Sequence, residues 1–114
     1  MTLTEKAKEK FEMWLLTSDI RDKFNLTVGT SITGFVYSLP QPCLNALIVE
    51  FFDINEIYID VNVVSIDGLF DATIFHHKYR QKDGKTISEI PTQDTRQEAT
   101  TEAIKKANEI INEL

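Results

Sequence analysis

Residues 95–114, "TRQEATTEAIKKANEIINEL", decide the fold. Thr95 opens the stretch and Glu98 follows three positions later. That is the pattern of a capping box, in which the threonine hydroxyl takes an orphan N–H of the first helical turn. At 100° per residue, Ala99, Ala103, Ile104, Ala107, Ile110, Ile111 and Leu114 form one stripe, with the Lys and Glu side chains outside it. The alanines let the backbone come close to a flat surface, and the larger residues at the end fill a wider gap. The spacing predicts a helix lying on a β-sheet.

The preceding residues supply that sheet. "IYIDVNVV" (57–64) alternates, with Ile57, Ile59, Val61 and Val63 on one side and Tyr58, Asp60 and Asn62 on the other. "SIDG" (65–68) reads as a turn. "LFDATIFHHKYR" (69–80) reads as a second strand, with Phe70, Ala72, Ile74 and His76 on one face. Asp71, Thr73, Phe75, His77 and Tyr79 take the opposite face. "QKDG" (81–84) carries the Asp-Gly hairpin signal. "KTISEI" (85–90) reads as a third strand that Pro91 ends. The expected product is a three-stranded antiparallel meander.

Upstream, residues 42–53 fit either a buried strand or a helix. The proline start and the length favour a helix, with Leu44, Leu47, Ile48 and Phe51 on one face. Residues 4–16 fit a helix capped by Thr4, with Leu3, Ala7, Phe11, Trp14 and Leu15 at helical spacing. Ile20 and Phe24 suggest a second short turn of helix. "NLTVGTSITGFVYSL" (25–39) has β-branched residues, two glycines and no clean period, and reads as a strand, a loop or both. The expected architecture is therefore a single α+β domain over residues 1–114. An N-terminal helical segment (1–25) is joined to an αβββα core (42–114).

Composition bounds the function. Apolar residues are 42% of the 114, and Gly and Pro are few, which is a folding composition. The net charge is −6, which gives no general attraction to nucleic acid or anionic lipid. No Lys or Arg lies between Phe24 and Lys78, whereas Glu50, Asp53, Glu56, Asp60 and Asp67 do. This acidic rim reads as a solubilising surface or as a face for a basic partner. The N-terminal residues lack a signal-peptide pattern, and no apolar run is long enough to span a membrane. Cys43 is the one cysteine, so no disulfide forms within the chain, and a cytoplasmic location is expected.

The chemistry-bearing residues are sparse. His76 and His77 are strand neighbours that point to opposite faces, so they do not close on one metal. Cys43 stands at a helix start, where a thiol can act as a nucleophile if a histidine approaches. The reading preferred here is a small buried hydrophobe, slow to react with thiol reagents. Asp60 and Asp71 are expected to neighbour each other across the first hairpin and read as part of a solvated face. No catalytic, cofactor or metal residue is assigned. Tyr58, Phe75, His77 and Tyr79 form the candidate interaction surface, on the assumption that the N-terminal helix leaves this face open.

From Pro42 onward, the order of elements resembles the double-stranded-RNA-binding domain family over about 70 residues. "PQPCLNAL" is similar to the opening of that family's first helix. Ala99, Ala103, Ile104 and Ala107 fall where the family places small packing residues. The resemblance implies nucleic-acid contacts from Arg96, with Lys82 and Lys85 in the second hairpin loop. Gln97 and Thr100 stand where the family has phosphate-gripping lysines. "FFDINEIYIDV" and "TRQEATTEAIKKANEIINE" also resemble small uncharacterised bacterial and prophage proteins. That likeness implies a phage-derived protein in which Arg96 and Glu98 are fold signatures. The expected function is a non-enzymatic protein acting through contacts with a protein partner or a second copy of itself. The alternative is a nucleic-acid-binding module.

Overall fold

The structure is a computed structural model that describes residues 3–64, 68–80 and 84–113. Four helices precede the sheet: α1 (Glu5–Thr17), α2 (Ile20–Lys23), α3 (Ile32–Tyr37) and α4 (Gln41–Ile54). Strands β1 (Tyr58–Val63), β2 (Phe70–Phe75) and β3 (Ile87–Gln93) follow, and α5 (Arg96–Asn112) closes the chain. The sheet is antiparallel in the order β1-β2-β3. The fold is α+β with the αβββα core expected. The two turns read at 65–68 and 81–84 lie largely outside the described residues, as does Leu114.

α5 is the organising element. The Thr95 hydroxyl accepts from the Glu98 N–H at 3.0 Å, which is the threonine arm of the expected box. Ala99, Ala103, Ile104, Ala107, Ile110 and Ile111 are all buried. The helix lies against all three strands, and α1 and α4 pack on it from other sides. At Ala103, with no exposed surface, a leucine is expected to overpack the helix–sheet seam. Ala103→Leu should lower stability by about 1–3 kcal/mol in a urea titration; an unchanged midpoint would mean that the seam tolerates added volume.

α4 forms as a helix because Pro40 and Pro42 fall at its start, where missing N–H groups cost nothing. It buries Leu44, Leu47, Ile48, Phe51 and Phe52. Its end is a Schellman motif. The Ile57 N–H reaches the Phe52 carbonyl at 2.9 Å, and the Glu56 N–H reaches the Asp53 carbonyl at 3.0 Å. Glu56 takes φ 61° to allow this. The buried Ile57 then leads the chain directly into β1.

Three readings are corrected. Residues 32–37 are a helix, not a strand or loop. Ser31 caps it by accepting from the Gly34 N–H at 3.1 Å, and Ile32 and Val36, four apart, are buried. Pro91 does not end β3, which runs on to Gln93. The register shifts by one residue at this point, between the pairs Ala72–Ile90 and Phe70–Gln93. The bulge on an edge strand removes the need for a proline N–H. β2 stops at Phe75, because the Tyr79 N–H bonds to the His76 carbonyl at 2.8 Å and turns the chain.

Thr4 is the α1 N-cap residue, but its side chain makes no cap bond. Two asparagines of α5 do that work instead. Asn112 Oδ1 accepts from the Ala7 N–H at 2.9 Å, and Asn108 Oδ1 accepts from the Thr4 N–H at 2.8 Å. Both asparagine amides donate to the Thr4 hydroxyl at 3.1 Å. Ala7 is the third helical residue, whose N–H a local cap would normally satisfy. The cap is therefore supplied by another helix.

α3 is tied to α1 by the Tyr37 hydroxyl, which donates to Glu12 Oε1 at 2.9 Å. Burial, then this bond and the Glu12 charge, hold the phenol well above its ordinary pKa. A folded pKa raised in this way contributes stability that is complete below the unfolded value. The contribution is lost as pH rises toward the folded one. Tyr37→Phe is therefore expected to flatten the fall of the urea midpoint above about pH 10. Parallel alkaline falls in both proteins would remove the bond from the account.

Candidate functional site

The inner face of the sheet is spent on α5. The outer face is set by the register. Tyr58 pairs with Phe75, whose other neighbour is Ile87, so the three form one row across the strands. The next row is Asp60, Thr73 and Glu89. Asn62 and Asp71 pair beyond that. Among the described residues no helix covers this surface: Tyr58, Phe75 and Ile87 remain 41%, 39% and 48% exposed. α1 lies instead on α5, α3 and α4. Phe11 and Trp14 meet the Phe51 ring there, with centroids at 5.4 and 5.9 Å. The face therefore combines an apolar row at one end with carboxylates beyond it.

His77 joins the row from outside the strand. Its ring stacks on Tyr58 with centroids 6.5 Å apart and planes 23° from parallel. Tyr79 does not join it. The turn after Phe75 sets Tyr79 half-buried against the core, with Lys78 Nζ 5.6 Å from its ring centre. Ile87 takes the place expected of Tyr79. The alternation in "KTISEI" carried a signal for Ile87, but its partner across the sheet depends on the length of the second hairpin.

His76 is fully buried and structural. Its Nδ1 lies 3.2 Å from the Tyr79 carbonyl, which only accepts, so Nδ1 carries the proton. Nε2, 2.8 Å from the Ser88 hydroxyl, is then the acceptor. Both ring nitrogens are thus used to pin the turn to β3. Cys43 is exposed, not buried: it stands in the first turn of α4, ahead of Leu44, where the buried stripe begins. The expectation of a slow-reacting core thiol is overturned. Asp60 and Asp71 are neighbours across the first hairpin, on a diagonal of the register, and Asn62 Nδ2 donates to Asp60 at 3.4 Å. Among the described residues, no group of three or more His, Cys, Asp or Glu side chains is placed to hold a metal ion. No helix among them is long and apolar enough to cross a membrane.

Two of the three cations named for nucleic acid lie among the described residues. Lys82 lies outside the described residues. Lys85 is exposed at the foot of β3. Arg96 is committed to the fold: its guanidinium lies 5.0 Å from the Phe70 ring centre and donates to the Val61 carbonyl at 3.4 Å. No protein-family model, curated protein or solved structure matches the chain.

Proposed function

We propose that this chain is a non-enzymatic contact protein that docks a partner protein on the outer face of its sheet. The row of Tyr58, Phe75 and Ile87 carries the reading. Exposed aromatics in a contiguous patch are the side chains that contribute most at protein interfaces. Asp60, Asp71 and Glu89 on the same face favour a partner with Lys or Arg around an apolar centre. Two copies meeting face to face would oppose the same carboxylates, so the face suits a foreign partner better than itself. An exposed lone thiol fits a reducing compartment, and a cytoplasmic partner is the corresponding expectation.

The test is affinity capture from a host lysate with matched variants. The parent is expected to retain a partner that Phe75→Ser loses and that Met13→Ser, on exposed helical surface, keeps. Retention should weaken with salt, as the charges require. Equal capture by all three proteins would place the contact elsewhere.

The nucleic-acid alternative needs several phosphates gripped at once. Arg96 is occupied, and Glu98 and Glu102 follow it on α5. We expect no binding tighter than about 1 µM to a duplex RNA of about 20 base pairs at about 0.15 M salt. Submicromolar affinity that falls steeply with salt and is lost on Arg96→Ala would promote the alternative over the contact reading.

A further inference from the structure

The loop between α2 and α3 holds an apolar side chain in water on a braced support. The Thr30 N–H bonds to the Thr27 carbonyl at 3.0 Å and closes a turn with Val28 and Gly29 at its tip. Arg21 of α2 donates to both flanking carbonyls, Thr27 at 2.5 Å and Thr30 at 3.0 Å. The Thr27 and Thr30 hydroxyls lie 2.8 Å apart. These bonds fix the tip, yet Val28 is 96% exposed, more than any other large apolar residue among those described. Beside the turn, Phe24 is 41% exposed and tilts against Phe35 of α3 with ring centroids 5.3 Å apart. A loop braced in this way has little freedom left to lose on binding, which favours association.

The surroundings of this loop carry no charge. Residues 24–49 contain no Asp, Glu, Lys or Arg, although these make up 26% of the chain. Asn25, Ser31, Ser38 and Gln41 are among the exposed residues of the stretch. The charges that flank it are paired: Lys23 lies 3.6 Å from Glu50 and 3.9 Å from Asp19. The Lys23–Glu50 pair brings the two ends of the stretch together in space, so its surface is compact. A charge-free centre with charges at its rim is the composition of an interface core.

We infer that two copies of this chain associate through this surface, with Val28 of each seated against Phe24 and Phe35 of the other. The net charge of −6 is what selects the occupant. Most contacts between two such copies set carboxylate against carboxylate, as the outer sheet face would. Residues 24–49 meet themselves without a like-charge pair and without a charge to desolvate. Under a two-fold axis an uncharged surface is matched to itself. A basic partner, by contrast, is drawn to the carboxylates elsewhere on the molecule. A membrane is the weaker occupant: one valine and one half-exposed ring offer fewer carbons than a single myristoyl chain, whose binding is already marginal. The association uses α2, α3 and the loop between them, so it stands or falls separately from docking on the sheet.

The test is sedimentation equilibrium on the full chain, with circular dichroism to confirm that each variant is folded. The parent is expected to dimerise reversibly with a Kd below about 1 mM. Val28→Asp sets an unpaired carboxylate against the partner's rings and should weaken the dimer roughly tenfold or more. At 96% exposure the change leaves the fold of each copy untouched. Phe24→Ala should weaken the dimer in the same direction, and Phe75→Ser, on the sheet, should leave it intact. A parent that stays monomeric at about 1 mM would overturn the inference. So would a dimer indifferent to Val28→Asp, or one lost on Phe75→Ser. A monomeric parent that instead co-floats with phosphatidylcholine vesicles, and is released by Val28→Asp, would overturn it in favour of a lipid surface.

Discussion

Phe51→Ala is expected to cost the fold about 3–5 kcal/mol, the range for emptying a large aromatic site in a close-packed core. Phe51 is 1% exposed, and its ring touches three others. Phe11 meets it edge-on at 5.4 Å, Phe52 lies at 5.3 Å and Trp14 at 5.9 Å. These rings come from α1 and α4, so the cavity would open where the N-terminal helix meets the αβββα core. The surroundings are fixed by two helices and collapse only partly. Urea denaturation followed by Trp14 fluorescence and by circular dichroism checks this. Phe24→Ala, at a half-exposed ring tilted against Phe35 with centroids at 5.3 Å, is the control and should lose about 1 kcal/mol or less. Equal losses in the two variants would mean that the cluster around Phe51 is not a packed centre.

Removing the borrowed cap should be nearly as severe. Asn108→Ala combined with Asn112→Ala leaves the Thr4 and Ala7 N–H groups without their acceptors and the Thr4 hydroxyl without its donors. A lost cap costs about 1 kcal/mol, and the N–H of the buried Ala7, left unpaired, adds about 1–3 kcal/mol. A combined loss of about 2–4 kcal/mol is expected. Amide exchange at Ala7 should accelerate while exchange within β2 changes only with global stability. Unaltered protection at Ala7 in the double variant would show that α1 is held by packing alone.

The legible parts of this fold are those whose pattern is local. The alanine stripe of α5, the alternation of β1 and the proline start of α4 each state their structure within a dozen residues. The missed parts depend on partners far along the chain. Asn108 and Asn112 look like ordinary surface polar residues of α5, and only their contacts to Thr4 and Ala7 give them a role. "HHKYR" continues the alternation of β2 in letters, but His76 is used to close a turn and bind Ser88. Tyr79 is thereby withdrawn from the candidate face, and Ile87, placed by the register of the second hairpin, replaces it. α3 was hidden because Gly34 and β-branched residues argue against a helix. A serine cap and two buried side chains at i and i+4 outweigh that preference. Cys43 was misjudged because lone cysteines are so often buried, while its place in the first turn of α4, ahead of the buried stripe that starts at Leu44, leaves it uncovered.

The cap shared between α1 and α5 also bears on how the chain acquires its structure in time. The Thr4–Asn108 contacts close a loop of 104 residues, and closing so long a loop is entropically costly until other contacts have shortened it. During synthesis α1 emerges first, yet its N-terminal amides have no acceptor until the end of α5 has emerged. Until then the stripe of Leu3, Ala7, Phe11 and Leu15, all buried in the finished protein, has no complete surface to lie on. The αβββα core, with its shorter connections, is positioned to assemble first, and α1 docks last. A nascent chain stopped before Asn108 would therefore carry an exposed apolar helix, the kind of segment that chaperones hold.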